Sequence, residues 1–104
     1  MAAVETQQEI LDRLELHRDQ IRSLGVERLG IFGSFVRGQQ GRKSDVDVLV
    51  RFRAGEKTFD RFMDLAHFLE GLLQRRVELV TTEGLSPYLG PRILNEVQDV
   101  SLGP

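Results

Sequence analysis

The feature of this sequence that most constrains its fold is a pair of short apolar runs separated by a polar loop. The first run, residues 26–32, ends at Gly33-Ser34. The second run, residues 45–52, is rich in valine and leucine, and its β-branched side chains favour strands. The polar residues 37–44, RGQQGRKS, lie between the two runs. The pattern predicts two strands at the centre of the molecule, joined by a glycine-containing loop.

Helical periodicity precedes these strands. In residues 5–24, side chains recur at spacings of three and four on one mostly apolar face, and they are Ile10, Leu14, His17, Ile21 and Leu24. Gly25 follows at the position where a glycine often ends a helix. A single helix over residues 5–24 is therefore predicted.

A second helix and a third strand are predicted after the central pair. Thr58 is a suitable N-cap, and the helix should run to about Gln74. Its buried stripe is predicted to be Phe59, Phe62, Met63, Ala66, Leu69, Leu72 and Leu73. Residues 76–81, RVELVT, predict the third strand. Near the C-terminus, the apolar side chains of residues 93–97 indicate a short last helix.

The order of these elements predicts a mixed α/β fold. We expect a central sheet of three or more strands packed with helices in two layers, with residues 1–104 forming one domain. The absence of cysteine excludes disulfides, thiolate catalysis and zinc–cysteine sites, and it fits a cytoplasmic protein. No apolar run is long enough for a membrane span. The net charge of −2 disfavours strong non-specific binding to nucleic acid.

Two aspartates, Asp45 and Asp47, interrupt the start of the second central strand. Side chains two apart on a strand project from one face, with Cα atoms about 6.5–7 Å apart. Two carboxylates placed in this way repel each other unless a cation lies between them, and Mg²⁺ prefers such oxygen ligands. The sequence therefore predicts a magnesium site. The alternative is that both aspartates are solvated residues on an edge strand.

Three further features can serve the same chemistry. Gly33-Ser34 ends a strand, where backbone amides and a hydroxyl can hold phosphate oxygens. Arg37, Arg42 and Lys43 in the following loop could neutralise a triphosphate. Glu78, on the third strand, could complete the metal site or accept a proton from an attacking hydroxyl. Each has a plainer alternative, namely an ordinary turn, a solvated loop charge or a surface carboxylate.

Together these residues resemble the DNA polymerase β-type nucleotidyltransferase superfamily. Its pattern is Gly-Ser, ten residues, then Asp-x-Asp, with a third carboxylate on a later strand, and Gly33-Ser34, Phe35 to Ser44 and Asp45-Val46-Asp47 match it without a gap. The segments GSFVRG and SDVDVLV look like those of the small stand-alone branch, the minimal nucleotidyltransferases. The resemblance covers nearly the whole chain, from the first helix through RVELV.

The resemblance implies a site and an activity. Gly33 and Ser34, helped by Arg37 or Lys43, would hold the triphosphate of ATP, the usual nucleotide of the family. Asp45 and Asp47 would bind Mg²⁺, and Glu78 would be the third acidic residue, where the family often has the shorter Asp. Members of this branch commonly act as antitoxins of HEPN-domain toxins. Some transfer AMP to a tyrosine of the toxin, which would be the partner here.

Two other classes of function remain open. The chain could be an antitoxin that neutralises its partner by contact alone, with an idle or weakened site. A nucleic-acid-binding regulator is disfavoured by the acidic charge and by the lack of an aromatic–basic pattern. Because 104 residues leave little room for a domain that holds nucleic acid or a drug, we expect a partner protein to bring the acceptor hydroxyl.

Overall fold

A computed structural model describes residues 2–103 and shows a four-stranded mixed sheet with helices on both faces. The strands are β1 (Val26–Phe32), β2 (Val46–Phe52), β3 (Val77–Thr81) and β4 (Gln98–Asp99). Their order across the sheet is β3-β2-β1-β4. Strand β1 pairs antiparallel with β2 and β4, whereas β2 pairs parallel with β3. The mixed α/β fold predicted from the sequence is confirmed.

Within residues 2–103, five helices and one 3₁₀ turn accompany the sheet. The helices are α1 (Gln7–Leu16), α2 (Arg18–Ser23), α3 (Ser34–Arg37), α4 (Phe59–Leu73) and α5 (Gly90–Glu96), and the 3₁₀ turn spans Thr82–Gly84. Helix α4 begins at the predicted cap, because the Thr58 side chain accepts a hydrogen bond from the Arg61 amide. No helix within residues 2–103 is long and apolar enough to cross a membrane.

The prediction of one continuous helix over residues 5–24 is wrong. Helix α1 starts after the N-cap Thr6. The helical conformation is interrupted at His17, so α1 and α2 are separate helices. In an unbroken helix the Arg13 carbonyl would accept from the His17 amide. Instead, that amide bonds to Leu14, and the His17 ring Nδ1 donates to the Arg13 carbonyl at 2.9 Å. The ring therefore substitutes for a helical hydrogen bond at the break.

Three other local features differ from what the sequence analysis predicted, left open or did not include. Residues 34–37 form the short helix α3, whereas the loop was expected to begin at Arg37. Asp45 lies one residue before β2, and both β1 and β2 are internal strands, so neither aspartate lies on an edge strand. The short strand β4 was not predicted at all.

The core lies on one face of the sheet, beneath α1, α2 and α4. Alternate residues of β2 point into it, namely Val46, Val48, Val50 and Phe52. Helix α4 contributes Leu65, Leu69, Leu72 and Leu73, so the predicted stripe is shifted. Phe59, the first residue of α4, was expected to be buried but is 77% exposed. Helix α5 covers part of the opposite face, so a partial third layer replaces the predicted two.

Candidate active site

The candidate site lies on the face of the sheet opposite the core. Because side chains alternate along a strand, Asp47 projects from β2 on the side opposite to Val46 and Val48. In the parallel pairing of β2 with β3, Asp47 is the register partner of Glu78. In the antiparallel pairing of β2 with β1, it is the partner of Phe32. Asp47 and Glu78 are therefore neighbours on one surface.

Gly33 connects β1 to α3 in a backbone conformation that favours glycine. Its φ is +81° and its ψ is −150°, a region that side chains with a Cβ disfavour. A Cβ on Gly33 would lie 2.9 Å from Cγ of Asp47 and would collide with the Asp47 carboxylate. The backbone of the Gly-Ser motif therefore packs directly against the second aspartate of the Asp-x-Asp motif.

Glu96, the last residue of α5, reaches the same place from the other side. Its Oε1 accepts a hydrogen bond from the Gly33 amide at 3.0 Å. Nη1 of Arg37 donates to both of its carboxylate oxygens, at 3.0 and 3.1 Å. The Glu96 side chain is 20% exposed, against 40% for Arg37. An internal carboxylate thus occupies two donors that were predicted to hold phosphate.

These residues line a cleft of about 480 Å³. One wall is formed by the sheet surface and Gly33, and it carries the carboxylates of Asp47 and Glu78. The other wall is formed within residues 84–96 and includes Arg92 and Glu96. Among residues 2–103, Arg92 forms no salt bridge, whereas Arg37 is paired with Glu96. Within the part of the chain that the structure describes, the cleft therefore combines several carboxylates with one cation that forms no salt bridge.

The remaining predicted site residues lie outside this cleft. Asp45, Arg42 and Lys43 line a neighbouring cavity of about 410 Å³. Ser34 is the first residue of α3 and adjoins the cleft through Gly33. Within residues 2–103, no three histidine, aspartate or glutamate side chains converge closely enough to form a metal site. Asp45, Asp47 and Glu78 therefore do not form a closed set of three ligands by themselves.

Asp47 nevertheless lies close to other negative charges. Burial, the largest cause, and the negative charges of Glu78, Asp45 and Glu96 together raise the pKa of Asp47 to about 6. The positive charge of Arg37 only partly opposes this. Clustered carboxylates with an unfavourable mutual field are stabilised when a divalent cation binds. Asp45 and Asp47 thus fit Mg²⁺, which takes few carboxylates and fills its other positions with water and phosphate oxygens.

Arg75 holds the loop that leads from Gly38 to Asp45. Its Nη1 donates to the carbonyls of Gly41, Arg42 and Ser44 at 3.2, 2.9 and 3.1 Å. Its Nε donates to the Val4 carbonyl at 2.6 Å, and its guanidinium lies 5.1 Å from the centre of the Phe35 ring. This one side chain therefore fixes the spacer between the two halves of the motif.

A comparison with protein families identifies the fold to which this geometry belongs. Residues 14–100 match the model of the nucleotidyltransferase domain. The chain belongs to the nucleotidyltransferase domain family. It is 38% identical over 96 residues to the protein adenylyltransferase MntA of Thermococcus cleftensis, a match that covers 91% of this chain and 96% of that protein.

Two solved structures extend the likeness of this nucleotidyltransferase domain. One, described as a minimal nucleotidyltransferase, has 37% identity and a TM-score of 0.69, and the match covers 85% of this chain and 93% of that one. The other, a toxin–antitoxin complex with AMP-PNP, has 25% identity and a TM-score of 0.63, with 80% and 71% covered. The resemblance to the minimal nucleotidyltransferases is thus confirmed.

Sequence reasoning missed two residues of this nucleotidyltransferase cleft, Arg92 and Glu96. Both lie on α5, one helical turn apart on the same face. A helix was predicted there, but its position over the sheet depends on the pairing of β4 with β1. Strand β4 is only two residues long, so its sequence does not predict this pairing. The available signal was that Arg92 and Glu96 are four residues apart. This spacing predicts that they share one face of a helix, but not that this face lies over the cleft.

Proposed function

We propose that this nucleotidyltransferase transfers AMP from ATP to a tyrosine hydroxyl of a HEPN-domain toxin and thereby acts as its antitoxin. The observation that carries the proposal is the contact of Gly33 with the Asp47 carboxylate, beside Glu78. This contact brings the two halves of the spaced motif to one point at the edge of a cleft. Such a point can hold a phosphate chain next to carboxylates, as nucleotidyl transfer requires.

The phosphate side of the proposed site is formed by Gly33, Ser34 and nearby cations. The Gly33 amide points towards the cleft, where it donates to a carboxylate and could donate equally to a phosphate oxygen. Arg37 and Arg92 line the same cleft and would balance the triphosphate charge. Lys43 lies beside Asp45 in the neighbouring cavity, and we assign it a peripheral role there.

Asp45 and Asp47 are the proposed ligands of Mg²⁺. Burial and, after it, the negative charges of Glu78 and Asp45 raise the pKa of Asp47, and a divalent cation would compensate those charges. When bound, Mg²⁺ would neutralise phosphate charge and stabilise the leaving pyrophosphate. The ion would also favour the ionised form of Asp47, which is the form that can act as a ligand.

The acceptor chemistry is assigned to Glu78. The tyrosine oxygen would attack the α-phosphorus and form the new P–O bond, while the bond to the β-phosphate breaks and pyrophosphate leaves. Glu78 is exposed on β3 and faces the cleft, so its carboxylate can take the tyrosine proton. The residues Gly33, Arg37 and Asp47 contribute by positioning and by charge, and no covalent bond to the enzyme is needed.

The choice of a protein acceptor rests on the relatives. The Thermococcus cleftensis protein is named a protein adenylyltransferase, and this chain matches it over almost its full length. A solved relative with AMP-PNP is a toxin–antitoxin complex. A HEPN-domain partner and a tyrosine acceptor follow from the resemblance to minimal nucleotidyltransferases, and they are the parts of the proposal that a partner experiment must test.

A second candidate function is neutralisation of the partner by contact alone. The contact of Glu96 with Gly33 and Arg37 favours this alternative, because it fills donors that a nucleotide would need. An antitoxin with its phosphate donors permanently occupied would bind the toxin and transfer nothing. The two functions differ in whether the carboxylates of the cleft are required.

The deciding experiment measures transfer of α-labelled ATP to a co-expressed HEPN partner in the presence of Mg²⁺. We expect label on the partner with the wild-type chain and none with the Asp45→Asn/Asp47→Asn variant. Replacement of the acceptor tyrosine, located by mass spectrometry of the labelled partner, should abolish labelling as well. The matched control is Asp12→Asn/Asp64→Asn, which alters two exposed aspartates outside the cleft and should leave transfer unchanged.

The same variants separate the two functions. Toxin activity that returns in the presence of Asp45→Asn/Asp47→Asn, despite retained complex formation, supports neutralisation by transfer. Full neutralisation by that variant, with no labelled partner under any nucleotide, would establish contact inhibition and rule out the enzymatic proposal.

A further inference from the structure

The position of Glu96 follows from the pairing of the last strand with β1. Gly30 pairs with Asp99 and Ile31 pairs with Gln98, so continuing this antiparallel register by two residues places Glu96 opposite Gly33. Gly30 makes room for this arrangement, because a Cβ there would lie 2.6 Å from Cγ2 of Val97. The main-chain pairing of β4 with β1 therefore places the Glu96 carboxylate at the end of β1.

The contacts of Glu96 are those of a bound anion. One of its oxygens accepts from the Gly33 amide and from Arg37, and the other accepts from Arg37 as well. A carboxylate at the C-terminal end of a helix lies in an unfavourable part of the helix dipole, so these external donors compensate it. An amide proton that points at Glu96 is not available to a phosphate oxygen. The Glu96 carboxylate and a phosphate oxygen would therefore compete for the same two donors.

We propose that Glu96 is an internal competitor for the phosphate-binding donors of this site. It holds the Gly33 amide and the Arg37 guanidinium while no nucleotide is bound, and the triphosphate must displace it. This inference rests on the proposed function, since it concerns the nucleotide of the same site. It makes Glu96 a residue that lowers nucleotide affinity, whereas a purely supporting residue would raise it.

The location of Glu96 limits how large this effect can be. The side chain is mostly buried, but its partner Arg37 is 40% exposed, so solvent weakens the pair. Arg92 lies one turn earlier on α5, in the same cleft and without a salt bridge among residues 2–103. Arg92 can therefore contact an incoming phosphate chain before Arg37 is released. We expect displacement to cost a moderate factor in affinity and to leave binding possible.

The test measures the affinity of inorganic triphosphate for the purified chain by calorimetry in magnesium-free buffer. This probe contains the phosphates without the base, the metal or the reaction. Glu96→Gln keeps the shape of the side chain and removes its charge, so it should bind triphosphate roughly three- to tenfold more tightly than the wild type. Glu96→Ala should change affinity in the same direction, which guards against an effect peculiar to glutamine.

Asp99→Asn is the matched control. It removes the carboxylate of another ion pair in the same segment, that of Asp99 with Arg28 at 2.8 Å, and this pair lies outside the cleft. Its triphosphate affinity should equal that of the wild type. Thermal unfolding of all variants should show folded proteins before the affinities are compared.

The triphosphate titration tests the competitor role of Glu96 separately from the proposed AMP transfer. Equal or weaker triphosphate binding by both Glu96 variants would overturn the competitor role and make Glu96 a supporting residue of the Gly33 turn. Absence of binding by every variant would also overturn it, because the donors would then not be phosphate donors. The proposed function is tested separately by AMP transfer to the partner, which can succeed or fail with either result.

Discussion

Asp47 and Glu78 are direct partners in the parallel pairing of β2 with β3, and their carboxylates share one wall of the cleft. Two consecutive strands, connected through helix α4, thus place like charges side by side. The arrangement costs stability when both groups are ionised and becomes favourable when a cation is bound.

Asp47→Asn should stabilise the metal-free protein at neutral pH. Folding raises the pKa of Asp47 to about 6, above its ordinary value near 4, so the folded state binds a proton more tightly than the unfolded chain. The contribution of Asp47 to stability is therefore present at low pH and is lost as the pH rises through about 6. We expect a gain on the order of 1 kcal/mol at pH 8, after allowing for solvent screening.

Urea unfolding of both proteins with EDTA, at pH 4 and pH 8, measures this difference. The gain should be small at pH 4 and larger at pH 8. An unchanged difference between the two pH values would contradict the assigned pKa of Asp47. With Mg²⁺ and nucleotide added at pH 8, the order should reverse, because only the wild type can gain stability from the bound ion.

Gly33→Ala should weaken nucleotide binding without unfolding the chain. The added methyl group would collide with the Asp47 carboxylate, and the φ of +81° would also strain the backbone. Gly38→Ala is the control, since Gly38 has a φ of +71° but open space around its Cβ position. We expect a loss of roughly tenfold or more in triphosphate affinity for Gly33→Ala, and a loss of stability alone for Gly38→Ala. Similar affinities for the two variants would show that the contact with Asp47 is unimportant.

Glu78→Gln should lower the rate of AMP transfer and leave nucleotide affinity nearly unchanged. The amide keeps the shape of the side chain but cannot accept the proton of the attacking tyrosine, and such a loss typically costs about 10²-fold or more in rate. Glu83→Gln is the control, because Glu83 is an exposed carboxylate of the neighbouring 3₁₀ turn, paired with Lys57 outside the cleft. Single-turnover labelling of the partner measures the rate. A wild-type rate for Glu78→Gln would remove the assigned role.

Arg75→Ala should destabilise the protein and reduce transfer. The substitution leaves the carbonyls of Val4, Gly41, Arg42 and Ser44 without their donor, and it removes the contact with the Phe35 ring. Because several charged hydrogen bonds are lost at a partly buried position, we expect about 2 kcal/mol of lost stability. Urea unfolding beside Arg76→Ala, its exposed neighbour, provides the comparison. Equal stability of the two variants would show that Arg75 does not hold the loop.

The central part of the fold was predictable because its signals are local. The valine-rich run of β2 and the apolar stripe of α4 are patterns that short segments carry by themselves. The interruption at His17 was not predictable, because the spacing of the apolar residues continues through it. It depends on the His17 ring, which replaces a helical hydrogen bond to the Arg13 carbonyl. Helix α3 is only four residues long and depends on the positive φ of Gly33 and Gly38 at its ends.

The site was predictable only in part, for a related reason. The positions of Gly33 and Asp47 were found from their spacing, and the structure shows them in contact. The contact of Glu96 with Gly33 joins residues 63 positions apart and depends on the register of a two-residue strand. Local sequence patterns carry no information about such a pairing. The position of Glu96 in the cleft therefore became visible only in the structure.

The contact of Gly33 with Asp47 also has a consequence for the history of this chain. Because the space beside Gly33 is filled by the Asp47 carboxylate, a side chain could be accommodated at position 33 only after position 47 had become smaller. A smaller residue at position 47 would in turn lose the carboxylate. Neither intermediate is favourable, so the two positions should be inherited as a unit, and a lineage that abandons one should soon abandon the other.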